Sequence, residues 1–219
     1  DLDSIPFPAW DLVHAEKYMK FNKKRKLTIV SSRGCPYKCT FCGSFKYWGS
    51  KFRKRSPQNV LSEVDYLINK FEVEEISFVD DNMTVNKKNF LEIAKGLKTR
   101  NIKWAINHIS SFTTNKEMLV AMKEGGCTKV SIAVESAVEE TLKALQKPVN
   151  LKKTKELVEQ CRKIGLQCYL IFIVGLPYDK KEDMIKTFKF AEEANADWNA
   201  YNMLVPYPGT EIYHYCKER

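Results

Sequence analysis

Cys35, Cys39 and Cys42 stand in a Cys-x3-Cys-x2-Cys run, directly after the apolar stretch Leu27-Thr28-Ile29-Val30. Three soft thiolates at this spacing can be aimed at one place by a compact loop, and such donors suit an iron–sulfur cluster or zinc. Structural zinc takes four protein ligands. No fourth Cys or His follows within the loop, so a remote residue such as His108 or Cys127 would have to complete a zinc site. A cubane cluster gripped by only three cysteines keeps one iron with a free position. A small molecule can chelate there and receive an electron. Gly34 and Gly43 bracket the run and let it turn tightly.

Something must hold that loop. From residue 27 onward, short β-branched runs alternate with polar breaks and amphipathic stretches, the pattern of βα units around a parallel sheet. Strands are expected over 27–32, 75–80, 103–109, 129–134, 167–174 and 198–205. Ser56-Pro57 offers an N-cap followed by proline at the first helical position. Val60, Leu61, Val64, Leu67, Ile68 and Phe71 then recur at helical spacing. Further stripes are Phe90, Leu91, Ala94 and Leu97; Met118, Leu119 and Met122; Leu157, Val158, Cys161 and Ile164; and Met184, Ile185, Phe188 and Ala191. Gly165 and Gly125-Gly126 fit helix stops. Six such units favour an incomplete barrel, with an open doubly wound sheet as the alternative that periodicity does not separate. No Gly-rich dinucleotide fingerprint opens the first helix.

Parallel βα folds gather their functional groups at the carboxyl ends of the strands. Those ends carry the cysteine loop, Asp80-Asp81-Asn82, Asn107-His108, Glu135-Ser136, Gly175-Leu176-Pro177 and Pro206-Tyr207-Pro208-Gly209-Thr210. Two acidic groups straight after apolar strands point to a single polar mouth on the side of the cysteines. Cys161, in a helical stripe, reads as a small apolar core residue. Cys127, Cys168 and Cys216 show no second cluster spacing.

The cysteine run, with aromatic Phe41 before its last member, resembles the signature of the radical S-adenosylmethionine (radical SAM) superfamily. Ile5-Pro6-Phe7-Pro8-Ala9-Trp10-Asp11, Ser32-Arg33-Gly34-Cys35-Pro36, Phe78-Val79-Asp80-Asp81-Asn82, Val134-Glu135-Ser136 and Pro206-Tyr207-Pro208-Gly209-Thr210 resemble the members linked to a cobalamin-binding domain. The resemblance implies a partial (β/α)6 barrel over 27–219, with 1–26 as an arm or linker after a cobalamin-binding domain outside this chain. It implies a [4Fe-4S] cluster on Cys35, Cys39 and Cys42, reductive cleavage of SAM to a 5′-deoxyadenosyl radical, and hydrogen abstraction. Methylation assisted by cobalamin is the favoured outcome, with cyclisation or oxidation as others. It implies Phe41 shielding the cluster near adenine, Asp80 and Asp81 on the methionyl ammonium, Asn107 as a polar SAM contact, Glu135 on the ribose and Gly175 admitting a close ligand. Each has a plainer reading: packing for Phe41, a cap or turn for the aspartates, a pair with a neighbouring lysine for Glu135. His108 reads either as a proton donor or substrate contact, or as a structural residue. The arginine many cobalamin-linked relatives carry after the third strand is absent, and the acidic ending common after the fifth is not evident. A small-molecule substrate and a reducing partner such as flavodoxin or ferredoxin are expected.

The net charge of +9 is unevenly placed. Residues 1–55 hold thirteen Lys/Arg against four Asp/Glu, and the rest of the chain balances. The excess lies in the runs 20–26 and 46–55, the second interleaved with aromatics. Such a run suits a phosphate backbone, a solvated rim, or a surface facing an acidic domain. A tRNA methylthiotransferase-type enzyme, a zinc-dependent nucleic-acid-binding module and a simple iron–sulfur electron carrier are the rival readings. The carrier is weakest, because carriers saturate their cluster with four ligands. Seven cysteines without a disulfide framework, no signal-peptide pattern and no membrane-length apolar run make a reducing cytoplasm the expected setting. The start without methionine, on a polar stretch, reads as a piece of a longer protein.

Overall fold

Six parallel strands form one sheet in the order β1 (Lys26–Ile29), β4 (Glu75–Phe78), β5 (Lys103–Ile109), β6 (Cys127–Glu135), β7 (Gln167–Val174) and β8 (Trp198–Met203). The computed structural model describes residues 1–22 and 25–218; Lys23 and Lys24 of the first basic run, and Arg219, lie outside the described residues. Each strand pairs in parallel with the next, and no pairing joins β1 to β8 among the described residues. The expected partial (β/α)6 barrel is therefore present and open along one side.

Helices α3 (Pro57–Phe71), α4 (Lys87–Arg100), α5 (Lys116–Glu124), α7 (Leu151–Ile164) and α8 (Lys181–Ala194) cover the outer face. Short α1 (Ala15–Asn22), α2 (Ser44–Trp48), α6 (Glu139–Ala144) and α9 (Glu211–Lys217) serve the ends. The start of α3 follows its sequence: Ser56 Oγ accepts from Asn59 N–H at 3.1 Å, and Pro57 takes a position whose N–H has no helical partner. Its face of Val60, Val64, Leu67 and Phe71 is buried against the sheet. Trp104 on β5 is fully buried beside Phe78, and its indole N–H donates to Gly125 O at 2.7 Å, tying the strand to the turn after α5.

Several expectations change. The first strand stops at Ile29; Ser32–Arg33 (β2) pairs instead with Arg53–Lys54 (β3) in a small antiparallel ladder. The Asp80 carboxylate takes the Ser31 N–H, which a continuing ladder would use, and holds the Ser31 and Ser32 hydroxyls beside it. Two strands end two residues early, at Phe78 instead of 80 and at Met203 instead of 205. Helix α8 buries Thr187, Phe190, Ala191 and Ala194, whereas Ile185 and Phe188 remain about 40% exposed. Phe188 lies on Tyr201 of β8 at the open side, where no further strand follows to cover it.

Candidate functional site

A cavity of about 810 Å³ opens at the carboxyl ends of the strands. Cys35, Cys39, Cys42, Phe41, Asp80, Asp81, His108, Glu135 and Lys147 line it. The loop between β2 and α2 that carries the cysteines is held from both sides. Thr40 N–H donates to Leu145 O at 3.0 Å, the Cys39 thiol lies 3.8 Å from Gln146 O, and Thr40 O accepts from Ile212 N–H at 3.1 Å. Gly34 enters the loop at φ +82°, and a Cβ there would sit 2.7 Å from Lys51 O. Glycine is required on both counts.

The two aspartates divide their work. Asp80 is buried, and its carboxylate accepts from Ser31 N–H at 3.0 Å, from Ser31 Oγ at 2.7 Å and from Ser32 Oγ. Burial pushes its pKa up against the pull of those hydrogen bonds. It pins the chain that leads into the cysteine loop. Asp81, half-buried, accepts from Gly34 N–H through Oδ2 at 3.0 Å.

Glu135 ends β6 at φ +69°, beside a register shift against β7. A non-glycine residue there is costly, and such strain gathers where a side chain must be aimed. The side chain meets Lys147 Nζ at 2.9 Å, the two being only 7% and 10% exposed. Lys147 also lies over the Phe41 ring at 5.8 Å. Burial alone would lower the lysine pKa, yet Glu135 and the thiols of Cys39 and Cys42 carry it above its ordinary value. Burial raises the Cys35 thiol and pushes Cys39 up to about 11. It lowers His108, which favours neutral imidazole on the cavity wall.

Two expected site residues stand apart from that lining. Asn107 Oδ1 accepts from Ser77 Oγ at 3.3 Å. Gly175, at φ +77°, has open space where a Cβ would be, so a ligand meets no obstruction beside its backbone. Lys147 was missed by sequence reasoning. One lysine in a chain rich in them carries no mark, and only its folded position beside the thiols distinguishes it.

Of the two remote residues named for a fourth zinc ligand, only His108 shares the cavity with the cysteines. Cys127 is buried at the start of β6, at the strand end opposite the cysteine loop, while His108 lines the mouth. Among the described residues no three of His, Cys, Asp and Glu converge to hold a single ion. A cubane takes one thiolate on each of three separate irons, so thiols spread around a loop fit it better. Part of the second basic run is engaged by the fold, while Lys46, Tyr47, Trp48, Lys51 and Lys54 remain exposed. Arg33 lies over the Trp48 ring at 5.1 Å, Arg53 donates to Trp48 O, Lys54 to Asn89, and Arg55 is buried.

A family model described as the radical SAM superfamily matches residues 29–191. The chain belongs to the radical SAM superfamily. It is 34% identical over 218 residues to an uncharacterized methyltransferase, PH0819, of Pyrococcus horikoshii, covering 98% of this chain and 47% of that protein. It is 32% identical over 232 residues to the cytidylyl-2-hydroxyethylphosphonate methyltransferase of Streptomyces wedmorensis, covering 99% of this chain and 43% of that one. The radical SAM methyltransferase TsrM of Kitasatospora setae, solved with cobalamin and a [4Fe-4S] cluster bound, superposes with a TM-score of 0.79. That match is at 15% identity and covers 88% of this chain and 37% of TsrM, so it speaks for the fold. The chain spans less than half the length of these relatives. As a radical SAM enzyme core it works with a [4Fe-4S] cluster and SAM, and no helix among the described residues is long and apolar enough to cross a membrane.

Proposed function

We propose that this chain is the catalytic core of a cobalamin-dependent radical SAM methyltransferase acting on a small molecule. One observation carries the reading: three free thiols share a single cavity with a buried ion pair, at the strand ends where this fold does its chemistry. Cys35, Cys39 and Cys42 hold the cluster. When bound, the cluster and SAM supply a 5′-deoxyadenosyl radical able to take hydrogen from an unactivated carbon. The protein supplies orientation and shelter. Asp81 offers a carboxylate to the methionyl ammonium, with Asp80 bracing the strand end beneath it. Glu135 is directed at the ribose, Phe41 walls the cluster, Gly175 leaves room at the backbone and Asn107 supports the layer below. A volume of about 810 Å³ is ample for a drug-sized ligand and leaves space beside it.

Methyl transfer rests on the names of the relatives at 34% and 32% identity, and cobalamin on TsrM, whose structure contains it. Cobalamin would be brought by a domain preceding residues 1–26, with 27–219 as the core. A small redox protein, flavodoxin or ferredoxin, would deliver the electron in a reducing cytoplasm. A tRNA methylthiotransferase-type enzyme is the runner-up: Arg53 and Arg55 of the run 46–55 are engaged internally, while Lys46, Tyr47 and Lys51 stay exposed.

Anaerobic reconstitution with iron and sulfide, then reduction in the presence of SAM, is the test. We expect 5′-deoxyadenosine from the wild-type chain and none above background from Cys39→Ala. Equal turnover by the variant would remove Cys39 from the cluster.

A further inference from the structure

We propose that Lys147 sets how readily the cluster accepts its electron, and that Glu135 tempers it. The proposal rests on the cluster reading above and adds a role for the one buried lysine described at the mouth. Lys147 and the cysteines line the same cavity. Its position is fixed with respect to them, because the residues just before it, Leu145 and Gln146, meet Thr40 and Cys39 of the loop. The Phe41 ring, one residue from Cys42, lies under the ammonium.

The ammonium has one ion-pair partner among the described residues. That pair uses a single oxygen of Glu135, and the Phe41 ring lies 5.8 Å from the ammonium. In a site this buried, a unit charge is felt strongly by its neighbours. Reduction adds one electron from an external reductant to the cluster, with no bond made or broken in the protein. A fixed cation stabilises the more negative product, so it shifts that equilibrium toward the reduced form. A carboxylate opposes it.

Opposite signs from the two partners are the discriminating result, since a merely structural pair would fail in one direction. Wild type, Lys147→Met, Lys147→Arg and Glu135→Gln are reconstituted anaerobically, with iron and sulfide measured for each. Each is poised with dithionite and mediators without SAM, and the reduced cluster is quantified by electron paramagnetic resonance. We expect Lys147→Met to lower the reduced-to-oxidised ratio about tenfold at fixed potential, equal to about 59 mV for one electron. Glu135→Gln should raise that ratio, and Lys147→Arg should restore the wild-type value. Unmoved midpoints, or shifts of the same sign in Lys147→Met and Glu135→Gln, overturn the proposal while leaving the cluster assignment standing. If Lys147→Met takes up no cluster, Glu135→Gln decides alone: a rise supports the proposal and no rise sinks it. A wild-type chain that takes up no iron or sulfide sinks the cluster reading, and this proposal with it.

Discussion

Two buried ion pairs sit at opposite sides of the cysteine loop, and their surroundings differ. Arg55 and Glu63 lie beneath β1, behind the N-terminal arm, with side chains 10% and 1% exposed. Arg55 uses its whole fork: Nε donates to Asn59 Oδ1 at 2.6 Å, Nη1 to Val30 O at 2.9 Å and to Glu63, and Nη2 to Asn59 O at 3.2 Å. Phe7 of the arm stacks on it at 5.5 Å. The adjoining hollow, about 250 Å³, is walled on one side by apolar arm residues including Pro8 and Trp10. Lys147 is a point charge with one carboxylate oxygen, and it faces the large mouth. An arginine saturated by hydrogen bonds fixes geometry, whereas a lysine with a single ion-pair partner presents a point charge to the cavity it lines. The first pair belongs to the fold and the second to the chemistry.

Removing one partner from each pair should separate them first in stability. Glu63→Ala leaves a buried guanidinium without its counterion and is expected to cost about 3–5 kcal/mol, read from the urea midpoint of the folded chain. Any folded, reconstituted fraction of that variant should keep the wild-type cluster potential. A smaller loss is expected of Lys147→Met, about 1–2 kcal/mol, because Glu135 can turn toward the solvated cavity. A loss as large as that of Glu63→Ala would make the two pairs equivalent and erase the distinction. Gly34→Ala probes the connection between the two regions. With φ +82° and a clash on Lys51 O, it should cost about 1–3 kcal/mol. Its effect should appear as less iron retained per chain on gel filtration; full retention would show that the loop tolerates another entry.

The sheet was readable because strand and helix periods are local properties. Six apolar runs became the six parallel strands, and Ser56-Pro57 began its helix as capping chemistry requires. Where the reading slipped, a distant residue had intervened. The run 27–32 broke at Ile29 because Asp80, some fifty positions away, claimed the serines that follow. The stripe of Met184, Ile185, Phe188 and Ala191 held for Ala191 but not for Ile185 and Phe188, because the open side of the barrel, not the pattern, selects which arc is covered. In the site, Asp80 and Asp81 looked alike as neighbours in sequence. Burial separated them into a brace for Ser31 and Ser32 and a carboxylate on Gly34.

The sequence by itself determined that three thiols would share one loop, that this loop would follow the first strand, and that acidic groups would end the strands beside it. Those are consequences of spacing along the chain. The tertiary structure alone decided which charges face the thiols. Lys147 reaches them because the turn after α6 folds back on the cysteine loop, and Glu135 meets it because a strained residue redirects the end of β6. Electrostatics depends on distance through space and on the exclusion of water, and neither is written in the order of residues.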